Sequence, residues 1–125
     1  MLKYIELKTG FDDNGPAWIG DVTVSKSGRT IYFNGMALKR AGASVAGNYI
    51  DLRTHDEYWV SGVKRRGTNR YWAGSGKIMV EAEAVAELLA FLGEPTLDTK
   101  RFVVTTAIKP TGPSDFHSTG NRPTD

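Results

Sequence analysis

The sequence predicts a mainly β domain of the α+β type, a small antiparallel β-barrel or half-barrel of about 5–7 strands with one C-terminal capping helix. Three observations predict it. Turn-forming clusters recur at short spacing through the first two-thirds of the chain, the segments between them are rich in β-branched and aromatic residues, and one stretch alone carries a helical apolar period.

The turns are Asp12-Asp13-Asn14-Gly15-Pro16, Ser27-Gly28, Asn34-Gly35, Gly47-Asn48, Thr54-His55-Asp56, Arg66-Gly67-Thr68-Asn69 and Gly74-Ser75-Gly76. Asp and Asn side chains satisfy nearby backbone donors in such turns, and Gly accepts positive φ. Strand-sized pieces remain at 3–8, 18–25, 30–34, 48–53, 57–64, 70–73 and 77–80. Alternation is plainest in Trp18, Gly20, Val22 and Val24, with Asp21 and Thr23 on the other face. The helix spans 81–92: Val85, Leu88, Leu89 and Leu92 make one apolar stripe, Gly93 supplies the stop and Pro95 prevents resumption. The stripe is expected to cover an open end or face of the sheet. Residues 101–108 read as one more strand. Residues 110–125, with Phe116 as their one large apolar side chain, read as a flexible and dispensable tail, so that the compact domain is 1–109. Trp18, Val22, Ile31, Phe33, Val60, Ile78, Val85, Leu88 and Leu89 are the expected core.

The 125 residues contain no cysteine, which removes disulfides, thiolate nucleophiles and thiolate metal sites from consideration. No apolar run reaches the roughly 18–20 residues that a membrane span needs, and Met1-Leu2-Lys3-Tyr4-Ile5-Glu6 lacks the apolar core of a secretory signal. A soluble, cytoplasmic protein with no membrane partner is expected.

Charge is segregated along the chain. Residues 26–77 hold ten Lys and Arg against three acids, Asp51, Asp56 and Glu57, although the whole chain carries only +2. Such a middle suits an anionic ligand or the solvated faces of strands.

Sequence motifs for known chemistry fail on inspection. Ala73-Gly74-Ser75-Gly76-Lys77 resembles a phosphate-binding loop, but Tyr71 stands where its first glycine belongs and Ile78 where a magnesium-binding hydroxyl belongs. Gly42-Ala43-Ser44-Val45-Ala46 lacks the last glycine of a nucleophile elbow. His55 and His117 have no partner histidine at helical spacing, and Thr23 replaces the acid that would close a calcium loop begun at Asp12. Neither a metal ion nor a cofactor is expected. For catalysis without cysteine the nearest candidates are Asp51, His55, Asp56 and Glu57, which also read as a solvated hairpin end.

The most informative stretch is Glu57-Tyr58-Trp59-Val60-Ser61-Gly62-Val63-Lys64, followed by Arg70-Tyr71-Trp72-Ala73. A hairpin turning at 66–69 would set Val63 opposite Trp72 and Arg65 opposite Arg70. Trp59, Lys64, Arg65, Arg66, Arg70 and Trp72 are therefore the candidate ligand-binding residues. Aromatic rings beside cations suit a nucleic-acid base and its phosphate, whereas the competing reading makes Trp59 and Trp72 core.

The strings Asn14-Gly15-Pro16-Ala17-Trp18-Ile19-Gly20, Ser25-Lys26-Ser27-Gly28-Arg29-Thr30-Ile31-Tyr32-Phe33-Asn34-Gly35 and Glu57 to Lys64 resemble segments of a group of short bacterial proteins. The likeness covers residues 3–92 and implies a shared compact module with no assigned activity. Some of that group carry a name borrowed from deoxyxylulose-phosphate synthase. This chain is too short for that enzyme's two-domain cofactor site and has no Gly-Asp-Gly followed by paired asparagines. The expected function is a non-enzymatic module that binds a protein segment or an anionic polymer such as nucleic acid, and the alternative is a small hydrolase or transferase working at 51–57.

Overall fold

The computed structural model describes residues 1–8, 15–42, 47–65 and 76–116. Nine strands follow in order: β1 Leu2–Lys8, β2 Ala17–Asp21, β3 Thr23–Val24, β4 Thr30–Phe33, β5 Met36–Arg40, β6 Tyr49–Asp51, β7 Glu57–Ser61, β8 Ile78–Glu81 and β9 Phe102–Thr105. A 3-10 turn, Ala82–Ala84, leads into the one α-helix among the described residues, α1 Val85–Leu92. The strands form one sheet in the order β3-β4-β5-β6-β7-β1-β2-β8-β9.

The class is the one the sequence predicts, with two differences of detail. Among the described residues, which leave out the expected strand 70–73, strands number nine because the expected piece 18–25 bends at Val22 into β2 and β3, and because Met36–Arg40 pairs with β4. Asn34 and Gly35 both have positive φ, 49° and 77°, which is the tight turn that twists in the same sense as the strands it joins. The sheet is also not wholly antiparallel: β8 runs parallel to both β2 and β9. Parallel neighbours need a long crossover, and α1 is that crossover between β8 and β9. Its C-terminal end is closed as expected, with Gly93 at φ 72° and its N–H donating to Leu89 O at 2.9 Å.

The bend at Val22 curls the sheet. β2 pairs with β1 while β3, one residue further on, pairs with β4, so a single bent run joins two distant parts of the strand order. Ile5, Val22, Ile31, Phe33, Leu38, Tyr49, Tyr58 and Val60 fill the interior, with Trp18 packed against them. Gly20 is required here, because a Cβ at this position would lie 2.6 Å from the Phe33 ring. Trp18 meets the same ring edge-on at 6.4 Å between centroids. A second cluster lies on the outer face of β1, β2 and β8: Tyr4, Ala17, Ile19, Ile78, Val80, Leu88 and Phe102. Leu88 is fully buried there, whereas Val85 and Leu89, expected to be equally buried, are only partly covered.

Beyond β9 the chain returns to the β4–β5 turn. Lys109 N donates to Asn34 Oδ1 at 3.0 Å, Gly35 N donates to Thr111 Oγ1 at 2.6 Å, and the Phe116 ring lies 5.7 Å from that of Tyr32. The Arg53 guanidinium stands 5.5 Å from the Phe116 ring centre. Composition alone ends the domain at 109, but the chain is seated on the sheet as far as 116. Two backbone anchors and one aromatic contact outweigh its polar character.

Candidate functional site

The six residues expected from sequence do not form one surface among the described residues. Trp59 is half-buried, sits opposite Glu6 in the β1–β7 ladder and packs in the outer cluster. Both edges of β7 are occupied, by β1 and by β6, and the expected hairpin partner 70–73 lies outside the described residues. Asn48 completes the β6 side, donating from Nδ2 to Val60 O at 2.8 Å and accepting from Val60 N at 2.7 Å. Arg65 is drawn to the helix instead: its Nε donates to Phe91 O at 3.1 Å and its guanidinium lies 5.1 Å over the Phe91 ring. A cation suits the negative end of α1. Lys64 is exposed. Arg66, Arg70 and Trp72 lie outside the described residues, as do Asp12, Ser44, Gly74 and His117.

The carboxylates weighed for catalysis are engaged by donors in and around the β6–β7 turn. Asp51 is buried, and its Oδ1 accepts from Arg53 N at 2.8 Å and Thr54 N at 3.3 Å, which fixes that turn. Asp56 Oδ2 accepts from Thr54 Oγ1 at 2.9 Å, and Glu57 Oε1 accepts from Gly47 N at 3.3 Å. His55 holds the positive-φ position of the turn, at 66°. Burial, reinforced by Asp51 and then Asp56, pushes the neighbouring Tyr58 phenol up to about 12. This arrangement braces a turn. Among the described residues no group of three His, Asp or Glu stands close enough to hold a metal ion.

Three further groupings stand out in the folded chain. The first is a basic end of the barrel. Arg40 N donates to Arg29 O at 2.8 Å, Arg40 pairs with Tyr49, and Ala41 N donates to Asn48 O, whose side chain holds Val60. This row crosses β4 to β7, with neighbouring strands about 4.8 Å apart. Lys26 and Arg29 in the β3–β4 turn and Arg40 at the end of β5 thus share one end of the sheet, all exposed, whereas the chain at 63–65 turns toward the outer cluster and α1. Ser25 Oγ accepts from Thr30 N at 3.1 Å and Ser27 Oγ from Arg29 N at 3.2 Å, which holds the basic turn in shape. These cations belong to the basic middle of the sequence, but only pairing reveals that they share one end.

The second is a polar trio on the outer face of β1. Glu6 is fully buried; it accepts a short hydrogen bond from the Tyr4 hydroxyl and another from Lys8 Nζ at 3.2 Å. The third is an acidic cleft of about 270 Å³ between the β4–β5 hairpin and the end of β8, lined by Asp21, Tyr32, Phe33, Glu81, Glu83 and Lys109 among others. Glu81 Oε1 accepts from Asp21 N at 3.0 Å, and the Met1 ammonium lies 3.5 Å from Asp21. A side-chain hydrogen bond to Asp21 raises the Glu87 carboxyl above the ordinary range.

Comparison of the chain with protein-family profiles, with curated proteins and with solved structures finds no match. No helix among the described residues is long and apolar enough to cross a membrane.

Proposed function

We propose that the protein is a non-enzymatic cytoplasmic binding module that takes an anionic polymer, single-stranded nucleic acid being the first case to test, on the basic end of its barrel. The observation that carries this reading is the grouping of Lys26, Arg29 and Arg40 at one end of the β4–β5 ladder. Among the described residues, no carboxylate lies within ion-pair distance of Lys26, Arg29 or Arg40. Cations held close together repel one another, and a polyanion that neutralises them releases its own counterions. The site differs from the hairpin expected from sequence: it rests on Lys26, Arg29 and Arg40, while Arg65 goes to the helix. Asp51, Asp56 and Glu57 each accept hydrogen bonds that brace the β6–β7 turn, which favours the binding reading over the hydrolase alternative at 51–57.

The test is fluorescence anisotropy of labelled single- and double-stranded oligonucleotides at about 50 mM and about 200 mM salt. Three phosphate contacts predict a loss of roughly 20-fold for a single strand across that range. Arg29→Ala with Arg40→Ala is expected to weaken binding and flatten the salt dependence while leaving the fold intact. Absence of binding below roughly 100 μM, the ordinary non-specific range, would rule the nucleic-acid reading out.

A further inference from the structure

β9 is the last strand of the sheet, and among the described residues no strand pairs with its outer edge. Edge strands are usually blunted by a charge, a proline or a bulge, since an open row of backbone donors and acceptors invites another chain. The β9 run Phe-Val-Val-Thr has no charge and no proline, and Val103 and Val104, on opposite faces, are 46% and 49% exposed.

Charge around the strand selects the occupant. Its start is net basic, with Lys100 and Arg101 exposed beside one acid, Asp98, and the Arg101 guanidinium 5.1 Å from the Phe102 ring centre at the strand's first residue. Its finish is acidic: Thr105 pairs with Glu81, and a small cleft of about 70 Å³ there is lined by Glu81, Ala82, Glu83, Thr105, Thr106 and Ile108. An antiparallel partner strand with the same sequence reverses this polarity. With the two-fold axis at Val103, each Val103 lies opposite the other copy's Val103, Phe102 opposite Val104, and Arg101 opposite Thr105, the ladder partner of Glu81. The basic start of each strand then meets the acidic finish of the other, twice, and no like charges face each other across the pair.

We propose that the protein forms a two-fold dimer through antiparallel pairing of β9 with β9 of a second copy, with Arg101 of each chain directed to the Glu81–Glu83 cleft of the other. Only a short strand is shared, so the dimer is weak and concentration-dependent. A two-fold contact of this kind closes on itself and does not propagate into a filament.

Sedimentation equilibrium of the full chain, from about 5 μM to about 500 μM to bracket a weak interface, is the direct measurement. The weight-average mass is expected to rise from 13.7 kDa toward twice that value. Val103→Lys, Arg101→Glu and Glu83→Arg are each expected to raise the dissociation constant at least about tenfold, with unchanged circular dichroism. Arg101→Glu mixed with Glu83→Arg is expected to recover association, because both cross-contacts in the mixed dimer again pair opposite charges. A wild-type mass fixed at the monomer value overturns the proposal and leaves the edge to a different partner. A dimer that all three substitutions leave intact overturns it as well, since the interface then lies elsewhere.

Discussion

Ile5, on one face of β1, points into the barrel among Phe33, Leu38 and Val60, whereas Tyr4, Glu6 and Lys8 on the opposite face are hidden on the outer side of the sheet, and Glu6 is as inaccessible as Ile5. One strand therefore carries an apolar buried face and an ionic buried face. The first gains stability from every carbon it covers. The second gains little net, because removing a carboxylate and an ammonium from water costs about what their attraction returns. What differs is the consequence of damage. Truncating an apolar side chain leaves a cavity, but removing half of an ion pair leaves a buried charge without its counterpart.

The largest expected effect tests that difference. Glu6→Ala removes the buried carboxylate that the Lys8 ammonium and the Tyr4 hydroxyl donate to, and a loss of about 3–5 kcal/mol in urea unfolding is expected. Glu6→Leu combined with Lys8→Met removes both charges, and its loss is expected to be far smaller than that of Glu6→Ala alone. Equal losses in the two variants would mean that the trio acts through packing and not through charge.

That trio also marks the limit of what a sequence conveys. In Leu2-Lys3-Tyr4-Ile5-Glu6-Leu7-Lys8 the alternation of apolar and polar residues identifies a strand correctly, but a polar face reads as solvated by default. Nothing in the residues says that a second layer buries it. Met36–Arg40 escapes sequence reading for a related reason: Met, Ala, Leu, Lys and Arg all favour helix, and the Asn34–Gly35 turn together with pairing to β4 overrides that preference. Single-element features are legible, including the Gly93 stop, the apolar stripe and the Asn-Gly turn. Features that depend on which strands become neighbours are not. The basic end of the sheet is of this second kind, since Arg29 and Arg40 are apart in sequence and become neighbours only through the β4–β5 ladder. The helix can be placed from its periodicity, but its role as a parallel crossover depends on finding β9 beside β8.

The next two effects compare the outer layer with the barrel interior. Leu88 is fully buried between α1 and the outer face, so Leu88→Ala is expected to cost about 2–4 kcal/mol. The same change at Leu89, only partly covered, is expected to cost about 1 kcal/mol. Similar losses at both positions would indicate a helix rotated from the one described. Inside the barrel the sensitive position is one that must stay small. Gly20→Ala sets a methyl group against the Phe33 ring and close to Glu81 Oε1, 3.0 Å from the added carbon. Overpacking of this kind is expected to cost about 1–3 kcal/mol, and Phe33→Leu in the same chain should recover part of it by making room. No recovery would mean that strain along β2, rather than the ring, sets the cost.

The smallest effect at neutral pH is expected at Tyr58, where the interior reaches the braced β6–β7 turn. Its phenol stands at about 12 against an ordinary 10.0, first because of burial and then because Asp51 and Asp56 oppose a third negative charge. A value raised in the folded chain means that folding favours the protonated phenol. The stability this contributes is complete below pH 10, the unfolded value, and is lost as pH climbs through about 12. Tyr58→Phe should therefore unfold at nearly the same urea concentration as the wild type at pH 7, and the two should separate above pH 10, with the wild type weakening faster. The difference between the two chains cancels the contribution of every other titrating group. Parallel curves up to pH 12 would show that the turn opens before the phenol ionises, and that the carboxylates at 51 and 56 brace it less firmly than their hydrogen bonds imply.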